Sequence, residues 1–171
     1  MSQRVNRTYF REVQRFRQWW VWAIMLVPFL IFAYGFYVQV IAGRPWGSKP
    51  MSDAELTGVS IMLAVIMLWI YLMRLVTEVR DDALHVHFVL LWRRKAIPYQ
   101  SIRSVEARTY NPIAEYGGWG IRWGARGWAY NVSGNRGVQL QLDGGKELLV
   151  GSGRADELAE AIKRRTEASH S

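Results

Sequence analysis

The chain has 171 residues and a formal net charge of +8, from 22 Lys and Arg against 14 Asp and Glu, and it contains no cysteine. The missing cysteine excludes a disulfide framework, a thiolate nucleophile and a cysteine-ligated metal. The length suits about one domain, but apolar and mixed-polarity regions are segregated along the chain, so each part is read separately.

Residues 1–19 carry Arg4, Arg7, Arg11, Arg15 and Arg17 against one acid, Glu12. This puts much of the excess charge at the N-terminus. Tyr9, Phe10, Val13 and Phe16 interleave with the arginines, a spacing that predicts a basic amphipathic helix lying on an anionic cytoplasmic leaflet.

A helix needs roughly 20 mostly apolar residues to cross about 30 Å of hydrocarbon. Within residues 20–76, two runs qualify, 20–40 and 56–76, and each contains eleven Leu, Ile, Val or Phe residues. At roughly −0.3 to −0.6 kcal/mol for each, insertion gains on the order of 5 kcal/mol per run. A two-helix transmembrane hairpin is therefore expected. Arg74 is the one charge inside either run and is expected in the last helical turn, snorkelling to the interface. Pro28 is expected to bend the first span. That span is too long for a cleaved signal peptide, and no small-residue cleavage site follows it. Trp19, Trp20, Trp22 and Trp46 flank it as an aromatic belt would. The connecting loop balances Arg44 and Lys49 with Asp53 and Glu55, whereas arginines dominate before the first span and return at Arg74, Arg80, Arg93 and Arg94. The positive-inside rule then puts a multi-pass protein in the plasma (inner) membrane with both termini cytoplasmic.

Residues 77–171 read as a mainly-β soluble domain. Leu84, Val86, Phe88 and Leu90 alternate with His85, His87 and Val89, the mark of a strand with one face on a core. Asp81-Asp82 makes a turn back to a strand at 77–80, and Arg93-Arg94-Lys95 marks another turn before a short strand into Ile97. A strand follows over 102–110. The segment 116–130 has too many glycines for a helix, and predicts short strands at 121–123 and 128–131 joined by a glycine turn. Val138, Leu140 and Leu142 alternate in a further strand, and Asp143-Gly144-Gly145 turns it into the next, at 147–150. Ala155, Leu158, Ala159 and Ile162 then share a helical face, with acids in the first turn and Lys163, Arg164 and Arg165 in the last.

Two spans, the segment IPYQSIRSVEA (97–107), the hairpin GVQLQLDGGKELLVGS (137–152) and the terminal helix together resemble the bacterial pleckstrin-homology-like (PH-like) membrane proteins. The resemblance implies about seven antiparallel strands in two packed sheets capped by a C-terminal helix, and a role in binding or scaffolding.

His85 and His87 share a strand face, but two ligands make no metal site and a solvated strand face is the expectation. Gly117 to Gly127 lacks the strand-loop-helix setting and the Gly-Lys-Ser/Thr ending of a phosphate loop. Neither a metal nor a cofactor is expected, and nothing points to an enzyme. Trp119, Arg122, Trp123, Arg126 and Trp128 interleave, with Arg136 nearby. Such a pattern serves single-stranded nucleic acid or a lipid headgroup layer. Tethering beside a membrane favours lipid or a membrane-protein partner over nucleic acid. The expected function is a membrane-anchored, non-enzymatic binding or scaffolding protein that contacts lipid headgroups, a partner or a second copy through those six residues. The alternative is an accessory subunit of an oligomeric transport or channel assembly, suggested by Pro28, Tyr34, Gly35, Tyr37 and Gln39 in the first span.

Overall fold

The computed structural model describes residues 7–91, 94–124 and 126–170. Two compact units emerge, one of Phe16–Leu72 and one of Met1–Arg15 with Met73–Ser171.

The first unit is a helical hairpin. Helix α1 (Trp19–Phe36) contains Pro28 and continues into a π-helical turn, Tyr37–Ile41; helix α2 (Asp53–Leu72) follows. Ser52 and Glu55 cap α2 reciprocally, the Ser52 backbone N–H donating to the Glu55 carboxylate at 3.0 Å and the Glu55 N–H donating to Ser52 Oγ at 3.3 Å, the Ser-x-x-Glu box that satisfies two orphaned backbone donors. Both helices are long and apolar enough to cross a membrane, and only 11% and 6% of their apolar windows are buried. Within this chain neither is buried as a core helix would be. Trp22 and Tyr71 meet edge to face at 6.3 Å, and Ser60 Oγ donates to the Phe32 carbonyl at 3.3 Å.

The loop between the helices is tied down. A Cβ on Gly35 would lie 2.6 Å from the Trp46 ring, so only glycine leaves room for that indole. Gln39 Nε2 donates to the Met51 carbonyl and to Asp53 Oδ1, both at 2.7 Å. Gly35 and Gln39 thus have local packing uses.

The second unit holds two sheets and two helices. Strands β1 (Thr8–Arg15), β2 (Arg74–Arg80), β3 (Leu84–Val89) and β4 (Lys95–Ile97) form an antiparallel sheet in the order β1-β2-β3-β4. Strands β5 (Ile102–Thr109), β6 (Gly120–Gly124), β7 (Gly127–Asn131), β8 (Arg136–Leu142) and β9 (Lys146–Gly151) form the other, in the order β5-β8-β9-β7-β6. A short helix, α3 (Pro112–Tyr116), joins β5 to β6, and α4 (Ala155–His170) ends the chain and touches strands of both sheets. Leu75, Val79, Leu84, Val86 and Phe88 from one sheet, Val138, Leu140, Leu148 and Val150 from the other, and Leu158 and Ile162 of α4 are buried.

Several expectations change. Residues 8–15 form β1, not an amphipathic helix: Val13 pairs with Val76 and Arg15 with Arg74, so backbone groups that a surface helix satisfies internally are satisfied by β2 instead. Phe10 and Gln14 face inward; Gln14 Nε2 donates to the Gly151 carbonyl at 2.8 Å, and Glu12 accepts from Ser152 Oγ at 2.5 Å and the Gly153 N–H at 3.0 Å. The second long helix stops at Leu72 rather than Val76, and Arg74 lies in β2, paired with Arg15 and Val89, rather than snorkelling from a helix end. Among the described residues nine strands replace the expected seven, and β7 runs parallel to β9. With β5 on the other side of β8, the free edge of β9 is where the β6–β7 hairpin docks. Arg93 of the expected turn lies outside the described residues.

Candidate functional site

The glycines of 116–130 have a packing cause. A Cβ on Gly124 would sit 2.1 Å from the Glu115 carbonyl oxygen, and one on Gly127, whose φ is +81°, would sit 2.3 Å from the Glu147 carbonyl oxygen. The β6–β7 hairpin is thus squeezed between the end of α3 and β9, where any side chain would clash.

Helix α3 is held in place by a polar network. Asn111 Oδ1 accepts from the Ile113 and Ala114 N–H groups, with Pro112 as the first helical residue. Arg108 donates to Glu115 at 2.6 Å and to Gln139 at 3.2 Å. The Arg108 guanidinium, through that hydrogen bond, holds the Glu115 carboxyl below its usual range.

Across the hairpin Trp123 and Trp128 are direct partners, and so share a face, yet they are 71% and 46% exposed. Trp128 is also in register with Leu148, and Leu142 with Lys146. The two indoles, Lys146 and the inward-facing leucines therefore share one face of their sheet. There a cavity of about 440 Å³ opens, lined by Lys95, Trp123, Arg126, Trp128, Lys146 and Leu148 among others. Lys95 arrives from β4 of the other sheet, and its ammonium stands 5.6 Å from the centroid of the Tyr130 ring. Burial, and then the charge of Lys146, push the Lys95 ammonium below its usual range. Glu147 also lines the cavity, but its carboxylate accepts from Gln139 Nε2 at 3.2 Å, and Gln139 pairs with Leu149 on the opposite face of the sheet. Among the described residues no carboxylate forms an ion pair with Lys95, Arg126 or Lys146.

Three of the six residues singled out in the sequence, Trp123, Arg126 and Trp128, thus meet at the cavity. The other three stand apart from it. Trp119 donates its indole N–H to the Gly134 carbonyl at 2.9 Å, and Arg122 turns back to donate to the Trp119 carbonyl at 3.1 Å. Arg122 pairs with Ala129, which puts it on the face opposite Trp123. Arg136 grips both carboxylate oxygens of Asp156, in the first turn of α4, at 3.0 and 2.9 Å. Lys95 and Lys146 went unnoticed in the sequence because each reads as a charge beside a turn. Only the pairing of strands far apart in the chain brings them to one place.

His85 and His87 both lie in β3, and His87 is half-buried. His85 is buried, not solvated, and its Nε2 lies 2.9 Å from Asp82 Oδ2. Among the described residues no group of three or more His, Cys, Asp or Glu side chains is placed to hold a metal ion.

One family model, described as a family of unknown function (DUF6141), matches residues 1–169. No curated protein and no solved structure matches the chain.

Proposed function

The chain belongs to this family of unknown function, and we propose that it is a membrane-anchored, non-enzymatic binding or scaffolding protein. In this reading α1 and α2 cross the inner membrane, and a PH-like sheet domain on the cytoplasmic side presents Trp123, Arg126 and Trp128 to lipid headgroups or to a partner membrane protein. The observation that carries the reading is the exposed, directly opposed tryptophan pair beside cations that have no carboxylate partner among the described residues, in a chain with two helices of bilayer length. Indoles favour the headgroup layer, and cations near it gain roughly 1 kcal/mol each on an anionic leaflet.

The sidedness has support beyond the arginine count. Strand β1 precedes α1, strand β2 follows α2, and the two strands pair from Arg15↔Arg74 to Thr8↔Arg80. A backbone ladder cannot form across a bilayer, so both ends of the hairpin belong on one side. The two-sheet domain with its terminal helix is the part read as PH-like. The transport-subunit alternative loses part of its motivation, since Gly35 and Gln39 serve the loop that carries Trp46.

Hydrogen exchange of the full-length protein in nanodiscs tests the reading. The backbone N–H groups of β6 and β7 are expected to exchange more slowly when phosphatidylglycerol is present than in phosphatidylcholine alone, and the joint change Trp123→Ala with Trp128→Ala should remove the difference. Identical exchange in the two lipids would reject headgroup docking.

A further inference from the structure

The cavity behind the hairpin adds a cluster of cations to the two exposed tryptophans that help to line it. Its charge is lopsided. Lys95, Arg126 and Lys146 supply three cations, while the single carboxylate residue in the lining, Glu147, is engaged by Gln139 from the other face of the sheet. Lys95 and Lys146 come from different sheets and lie close enough for one charge to depress the other's proton affinity. A half-buried ammonium held beside a second, exposed one, with no carboxylate ion-paired to either among the described residues, costs free energy that a bound anion recovers. Arg126 is also felt by Glu115, so the two lysines are the stronger pair of anion ligands.

Size narrows the anion. About 440 Å³ falls in the range of roughly 300–1,000 Å³ common for small-molecule pockets, which is more than a bare inorganic ion needs. The walls are amphipathic as well: Trp123, Trp128, Leu142 and Leu148 provide apolar surface beside the cations. A ligand that satisfies both carries a phosphate on a short organic body.

We propose that this cavity binds the phosphate group of a phosphate ester, with Lys95 and Lys146 as its principal charge partners, Arg126 at its rim, and the two tryptophans packing on the ester's organic part. The proposal deepens the headgroup-binding reading of the same hairpin. It rests on that reading for the source of the ligand, an anionic glycerophospholipid, but not for the chemistry of the cavity.

Titration calorimetry on the full-length protein in a non-ionic detergent provides the test. The probes are dihexanoyl phosphatidic acid, glycerol 3-phosphate, which keeps the phosphate ester without acyl chains, and dihexanoyl phosphatidylcholine, whose phosphate is already paired with choline. Binding of the first two, with phosphatidylcholine at least ten-fold weaker, is expected. Lys95→Gln with Lys146→Gln should weaken the phosphatidic acid at least ten-fold, and Lys95→Arg should restore most of it. Lys146 is exposed, so Lys146→Gln alone keeps the test decisive if the double variant folds poorly. Tighter binding of phosphatidic acid than of glycerol 3-phosphate supports a lipid source, and equal binding supports a soluble ester in the same site. No binding of either, equal binding of phosphatidylcholine, or affinity unmoved by the lysine changes would overturn the proposal. If the hairpin shows no protection on phosphatidylglycerol nanodiscs while the lysine changes still abolish glycerol 3-phosphate binding, the docking reading fails and the cavity assignment stands.

Discussion

Phe10→Ala and Val13→Ala are changes on one strand with opposite expected consequences. Phe10 is 5% exposed, and its ring lies 4.6 Å below the Arg154 guanidinium at the start of α4. Val13, on the other face of β1, is 44% exposed. Truncating a buried phenylalanine costs about 3–5 kcal/mol through lost burial and the cavity left behind, and the lost cation–π contact adds roughly 0.5–1 kcal/mol. The valine change should stay within about 0.5 kcal/mol, as for most exposed positions. With about 1.4 kcal/mol per factor of ten, Phe10→Ala should raise the protease-cleavable population of the sheet domain by roughly three-hundred-fold to twenty-thousand-fold. Against a typical total of about 5–15 kcal/mol, that leaves a marginal domain. Pulse proteolysis of the full-length protein in detergent, with cleavage followed between residues 74 and 170, measures the difference. Equal effects of the two changes would refute the account in which residues before the first long helix build the core of the domain that follows the second. An amphipathic surface helix would place both side chains on the same lipid-facing side and predicts that equality.

Other consequences can be checked in the same preparation. Gly124→Ala puts a methyl group where the Glu115 carbonyl oxygen and the Tyr116 ring now stand, at 2.1 and 2.8 Å. It should cost about 1–3 kcal/mol and speed hydrogen exchange in α3 and β6, and unchanged exchange there would contradict the packing described. Lys95 gives a pH signature. Its folded-state pKa is lowered from the ordinary 10.5 by burial and by Lys146, so the unfolded chain holds the proton more tightly. The penalty is complete below the depressed value and is relieved as pH rises from there toward 10.5, so stability gains in that window. Lys95→Gln should lack this gain when unfolding at pH 8 and pH 10 is compared, and the same gain in wild type and variant would remove Lys95 as its source. Gly35→Leu should displace Trp46, whose ring lies 2.6 Å from the position of a Cβ there, and so raise the accessibility of the loop to oxidants that attack indole. An unaltered Trp46 would show that the indole does not need the glycine.

Most strands of the sheet domain were legible because period-two alternation and turn residues are local signals. What escaped needed partners distant in sequence. Tyr9, Phe10, Val13 and Phe16 fit a helical stripe as well as they fit a strand, and only pairing with β2, on the far side of two long helices, decides between them. The second apolar run extends four residues past the end of α2 because Leu75 and Val76 are as apolar in a strand as in a span, and hydropathy does not distinguish the two. Helix α3 has a local signature in Asn111-Pro112 with Glu115 following, a cap, first-turn proline and acid in the expected order, but it spans only five residues and carries no apolar periodicity. At the candidate site, Trp123, Arg126 and Trp128 stood out as an interleaved pattern. Arg136 belonged to the same pattern but is taken by Asp156, and Lys95 and Lys146 have no local signature.

The absence of cysteine makes the central claim directly measurable. Single cysteines at Ser48, in the loop between the long helices, and at Ala168, on an exposed position of α4, can each be labelled in intact cells with a membrane-impermeant maleimide. Labelling of the Ser48→Cys protein before lysis, and of the Ala168→Cys protein only after permeabilisation, is the expected result. Equal labelling of the two positions in intact cells, or labelling of Ala168→Cys alone, would contradict a sheet domain anchored on the cytoplasmic face by a hairpin that crosses the membrane twice.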